Sequence, residues 1–97
     1  WEKLPWMKGA AQYARAEHFS DGATRNSDFY SHWARFDLDL TDWQRLLLFD
    51  PQTSGGLLLA VAATSVSELF LELEKRDQLG YVVGEAVSGT AGEVIVY

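Results

Sequence analysis

Cysteine is absent from the 97 residues, which excludes a disulfide framework and a thiolate zinc site. Basic residues are scarce. Eight Lys and Arg stand against 14 Asp and Glu, a net charge of −6 with His neutral. That balance argues against nucleic acid or an anionic membrane surface as a partner, because both demand a basic face. No apolar run approaches the roughly 18 residues of a membrane-spanning helix, and no signal peptide is visible. His18 and His32 are the two histidines. They fall in separate stretches without His-x-x-x-His spacing, so no metal centre is expected. The nucleophile elbow Gly-x-Ser-x-Gly and the phosphate-loop ending Gly-Lys-Ser/Thr are missing too. Ser54, His32 and Asp50 spell a Ser-His-Asp set on paper, as residues of these types do in most chains.

Apolar residues are plentiful, at 47% of the chain. Ninety-seven residues make one small domain or a piece of one. A chain this short buries only about two-thirds of its unfolded surface. It begins at Trp1 rather than Met, which suggests a piece of a longer protein. The most informative stretch is Asp50-Pro51-Gln52-Thr53-Ser54-Gly55-Gly56, running straight into Leu57-Leu58-Leu59-Ala60-Val61-Ala62. Pro51 fixes its own φ and biases Asp50 toward extended backbone. Six apolar residues bounded by turn signals predict a strand buried on both faces.

The other elements are arranged around that strand. Leu4 to Glu17 reads as a helix, with Pro5 in its first turn, Met7, Ala10, Ala11 and Ala14 on one face, and Tyr13 at its edge. His18 to His32 reads as a polar connector, with Asp21-Gly22 as a turn and at most one helical turn over Ser27 to Trp33. Ala34 to Leu40 alternates as a half-buried strand does. Thr41 and Gln44 form a capping box that starts a short helix, carrying Trp43, Leu46 and Leu47 inward and ending near Phe49. Ser65 and Glu68 form a second box, opening a helix with Val66, Leu69, Phe70 and Leu73 on one face and a Glu72–Arg76 surface pair. Gly80 reads as its stop signal. Tyr81 to Val87 and Glu93 to Tyr97 read as strands of a hairpin closed by Gly89 to Gly92. The four tryptophans, Trp1, Trp6, Trp33 and Trp43, read as core or interface anchors.

The fold class is therefore α+β, a mixed sheet fragment with flanking helices. Residues 1–33 form helix and connector; residues 34–97 form a core of strand, helix, strand, helix and β-hairpin. A strand enclosed on both faces needs more cover than this chain supplies, so an upstream part of the same domain or a second copy is expected to complete it.

The glycine-paired corner has two chemical readings. Backbone N–H groups and the hydroxyls of Thr53 and Ser54 offer an anion cradle. Against that, the loop feeds a strand, so the helix dipole that assists phosphate loops is absent and a structural turn is the simpler reading. Asp50 is read as a turn or capping residue, since one carboxylate does not make a Mg²⁺ site. Arg25 either binds a phosphate or carboxylate bidentately or ties down its own loop.

Asp50 to Leu58, preceded by Leu46-Leu47-Leu48-Phe49, resembles a signature of the selenophosphate synthetase (selenide, water dikinase) family, in the aminoimidazole ribonucleotide synthetase superfamily. Asp21-Gly22, followed by Thr24-Arg25-Asn26, resembles a second family stretch, usually Gly-Gly-Thr-x-x-Asn, with Asp21 at the place of the first glycine. Weaker likeness runs through Leu4 to Ala16 and Val83-Gly84-Glu85. The resemblance implies the C-terminal part of the family's second domain, residues 1–97 making one portion of one α+β domain. It implies an enzyme that makes selenophosphate from selenide and ATP, releasing AMP and phosphate, with Mg²⁺. The catalytic and Mg²⁺–ATP-holding residues would lie upstream, so the 97 residues alone are expected to be inactive, with no catalytic or metal residue and no bound cofactor. Thr53, Ser54, Gly55, Gly56, Arg25 and Asn26 become substrate-binding candidates. An upstream ATP-binding domain, a homodimer and a cytoplasmic location are implied. The alternatives are a same-fold domain of a hydrogenase-maturation or purine-synthesis enzyme, and a non-enzymatic interaction module.

Overall fold

The structure is a computed structural model that describes all residues from Trp1 to Tyr97. It divides into two compact units, one change of unit falling between Gly55 and Gly56. The first contains Trp1, Trp6–Gly55 and Gly89–Tyr97, and the second Glu2–Pro5 and Gly56–Ser88.

The first unit holds helices α1 (Ala10–Arg15), α2 (Asp21–Tyr30) and α3 (Asp42–Leu48), and strands β1 (Ala34–Phe36) and β2 (Val94–Val96). The two strands run parallel, with Ala34 opposite Val94 and Phe36 opposite Val96. The α+β expectation holds, and this pair is the whole sheet. Helices α1 and α2 each pack against α3. The fully covered apolar residues are small or few: Ala14 on α1, Ala23 on α2, and Leu40 before α3. Alanines at Ala14 and Ala23 add no bulk to the helix packing. Aromatic rings add cover. Trp1 lies 4.5 Å from Trp6 and 5.9 Å from Trp43, edge-on to the latter, and the Arg15 guanidinium sits 5.0 Å over the Trp43 ring. Trp1, Trp6 and Trp43 are thus the anchors expected, whereas Trp33 joins exposed Phe29 and Tyr30 on the surface.

Several expectations for this unit need correction. The first helix starts at Ala10, not Leu4. Gly9 adopts φ 90°, a left-handed angle that helix interiors do not contain, so it marks the entry and leaves Pro5 and exposed Met7 outside. The helix ends in a Schellman motif: Glu17 takes φ 60°, its N–H bonds the Ala14 carbonyl, and the His18 N–H bonds that of Tyr13. The polar connector is mostly α2, ten residues long. Ser20 caps it, its hydroxyl accepting from the Ala23 N–H at 3.3 Å. Asp21 and Gly22 are its first turn and have no left-handed angle. Asp at that position is favourable because the helix N-terminus carries partial positive charge. Strand β1 covers three of the seven residues expected.

The capping box at Thr41 is formed. The Gln44 amide oxygen accepts the Thr41 backbone N–H at 3.0 Å and the Thr41 hydroxyl at 2.7 Å. α3 ends at Leu48 as Pro51 demands.

The second unit is built on α4 (Val66–Glu74). A 3₁₀ turn over Ala63–Ser65 runs directly into it. Ser65 therefore has φ −101° and ψ −4° rather than extended angles, and its side chain caps nothing, contrary to the second box expected. Glu72 pairs with Lys75 and, as expected, with Arg76. Those two cations hold its carboxyl below the usual carboxylate range, Lys75 most strongly. A second Schellman motif ends α4 before Gly80. Asp77 takes φ 53°, its N–H bonds the Glu74 carbonyl, and the Gln78 N–H bonds that of Leu73. Gly80 instead lies against the Leu73 side chain, 2.9 Å from where a Cβ would stand.

The enclosed strand over Leu57 to Ala62 is not formed. Leu57 and Leu58 are 88% and 87% exposed, and Leu57 to Val61 enter no backbone hydrogen bond. Tyr81 to Val87 likewise forms no strand, so the hairpin does not close. β2 pairs with β1 instead. A strand exists only where its backbone groups find a ladder. Neither apolar segment has one among these residues.

Two outcomes test these contacts. Thr41→Ala is expected to lower unfolding stability by about 1 kcal/mol in urea denaturation. Gly22→Ala, normally favourable in a helix, would place a Cβ 2.7 Å from Pro51 Cγ. It is expected to cost about 1–2 kcal/mol alone and to be near neutral in a Pro51→Ala background, measured as a double-mutant cycle.

Candidate functional site

The two stretches that carry the family resemblance meet in the first unit. The first two turns of α2 lie against the corner that follows α3. Asn26 Nδ2 donates to the Phe49 carbonyl at 2.9 Å. Ser20 Oγ donates to Asp50 Oδ1 at 3.3 Å. The Pro51 ring fits against Gly22, where a side chain would collide with it. Ala23 N–H, Ser20 hydroxyl and Asp50 carboxylate thus form a chain of hydrogen bonds from the helix backbone to the corner.

This arrangement settles the reading of Asp50. Its carboxylate serves the Ser20 cap, as expected of a turn or capping residue. The N-terminus of α2 already faces Asp21 and Asp50, so its partial positive charge is answered from within the chain.

Beyond Pro51 the loop is open. Gln52, Thr53, Ser54, Gly55 and Gly56 are all exposed. The Thr53 N–H bonds the Pro51 carbonyl at 3.1 Å. The hydroxyls of Thr53 and Ser54 have no protein partner. The two glycines differ. Gly56 has φ 72°, an angle that L side chains rarely adopt, so backbone geometry explains it. Gly55 has no positive φ and nothing within 4 Å of a Cβ built on it. Nothing in the chain explains why it is glycine.

Of the candidates, Asn26 is joined to the corner, whereas Arg25 is exposed and enters no ion pair. No group of three or more His, Cys, Asp or Glu is placed to hold a metal ion. His32 stacks on Trp33 with ring centroids 3.8 Å apart, and Asp50 takes the Ser20 hydroxyl, so no Ser-His-Asp relay is assembled. The site can present hydroxyls and bare backbone from a fixed root. It supplies no paired nucleophile and base. Ser20 escaped the sequence reading, and Gly22 was read there only as half of a turn. The signal was Ser20 directly before Asp21, an N-cap followed by a first-turn acid.

No family model and no solved structure matches the chain. Curated relatives do, over nearly all of it. It is 33% identical to a selenide, water dikinase of Carboxydothermus hydrogenoformans, covering 97% of this chain and 27% of that one. It is 41% identical to that of Paraburkholderia xenovorans, covering 89% and 25%, and 39% identical to that of Rhizobium meliloti, covering 91% and 26%. No helix is long and apolar enough to cross a membrane. The chain spans about a quarter of the length of the relatives it matches, and it belongs to the selenide, water dikinase family.

Proposed function

We propose that these residues are the C-terminal part of the second domain of a cytoplasmic, homodimeric enzyme. It makes selenophosphate from selenide and ATP, with Mg²⁺, and releases AMP and phosphate. The carrying observation is identity of 33–41% to selenide, water dikinases across at least 89% of the chain. ATP, Mg²⁺ and the catalytic groups belong to an ATP-binding domain upstream. The contribution of this chain is a surface loop that faces substrate. Thr53 and Ser54 offer hydroxyls, and Gly55 lets a ligand or the upstream domain approach the backbone. Arg25, exposed and without an ionic partner, offers a bidentate contact to an anionic group. The open environment of Gly55 supports this role, since a folding requirement would show as a close neighbour or a left-handed angle, and neither is present.

The test uses the longer enzyme. Because a Cβ at Gly55 has free space, Gly55→Val is expected to leave the unfolding midpoint within about 2 °C while lowering selenophosphate formation. Thr53→Ala is expected to do the same, each by about tenfold, followed by phosphorus NMR and AMP release. Unchanged turnover in both variants would remove the loop from function.

A further inference from the structure

We infer that Asn26 is a positioning residue for the Thr53–Gly55 loop, resting on the selenophosphate reading above: its side chain fixes the root of that loop rather than touching substrate. The loop has almost no support of its own. From Gln52 to Gly55 every residue is exposed, and the one backbone bond inside it is Thr53 N–H to the Pro51 carbonyl. Its placement therefore depends on residues 49 to 51. These are held from α2 at three points: Asn26 on the Phe49 carbonyl, Ser20 on the Asp50 carboxylate, and Gly22 under the Pro51 ring. The three differ in strength. The Ser20 bond is exposed and 3.3 Å long. The Asn26 bond is part-buried, 2.9 Å long, and bridges 23 residues of sequence. It also meets a carbonyl at the C-terminal end of α3, where backbone acceptors lack intrahelical donors. Asn26 is suited to this because its amide is a compact donor on a short stem, so little rotamer freedom is lost in holding it. α2 itself is fixed by buried Ala23. The clasp thus connects a packed helix to a loop that has no packing of its own.

The experiment compares Asn26→Leu, of similar size but without the donor, with Ile95→Ala in β2, chosen for a similar loss of stability, in the longer enzyme. Asn26→Leu is expected to speed hydrogen exchange of the Asp50 and Thr53 amides, which bond the Leu47 and Pro51 carbonyls, by about tenfold, and to raise KM for ATP or selenide by a similar factor with less change in kcat. Ile95→Ala is expected to change neither. Unaltered exchange at Asp50 and Thr53 in Asn26→Leu overturns the positioning role. So does faster exchange with unchanged kinetics, and so do equal kinetic losses in both variants. Thr53→Ala separates this from the reading beneath it. If Thr53→Ala impairs turnover while Asn26→Leu does not, the clasp alone falls. If neither impairs it, the loop has no part in turnover.

Discussion

The polar clasp between α2 and the corner after α3 is the contact on which the first unit's geometry turns. Few side chains are fully buried, and two of the three apolar ones are alanines. Burial of so little area fixes helix positions only loosely, because hydrophobic attraction is non-directional. Directional bonds must then set the register. Asn26 to Phe49 and Ser20 to Asp50 do so, with Gly22 permitting the close approach that both require. The Trp1–Trp6–Trp43 cluster and the Arg15 cation over Trp43 hold the N-terminal end of α3 by broad apolar contact. One end of α3 is specified by geometry and the other by area.

What could be read from sequence follows from the range of the forces involved. Thr41 with Gln44, the stop before Pro51, the stripe of α4 and the Glu72–Arg76 pair all concern residues within about one helical turn of each other, and all are present. Asp50 as a cap was legible in kind, though not its partner, Ser20, thirty residues away. α2 was missed because its composition is polar throughout, leaving the Ser20–Asp21 cap as the main signal. That error moved Arg25 and Asn26 from a helix to a loop. It also placed Asp21, the departure from the family pattern, in a turn that would have to absorb it. In the helix it needs no absorbing, since the first turn favours an acid.

The long-range pairings were the least legible. Strand partners lie far apart in sequence, and an apolar run does not name its neighbour. Val94 to Val96 was placed in a hairpin with Tyr81 to Val87, yet its partner is β1, about sixty residues earlier and parallel. Leu57 to Ala62 is the clearest case. Its composition suits enclosure on two sides, but composition states a demand and not its supply. Within the second unit, Leu59 to Val61 share an open groove with Ser65 and Leu69 of the neighbouring turn and helix. Leu57 and Leu58 stay in water. A fully buried leucine contributes roughly 1.5–3 kcal/mol, so leaving this run exposed forgoes a sizeable part of what a small domain can gather.

Family resemblance and burial of the Leu57–Ala62 run are independent properties of the chain. The exposed segment overturns the local architecture, while identity to selenide, water dikinases spans nearly the whole chain without regard to where its side chains lie. The reason is physical. The corner from Asp50 to Gly56 is determined locally, by Pro51, by glycine angles and by the clasp from α2, and these are satisfied within the first unit up to Gly55. The run after Gly56 depends on partners that the corner does not supply. A motif can therefore be intact in sequence and in local conformation while the sheet it leads into is not formed.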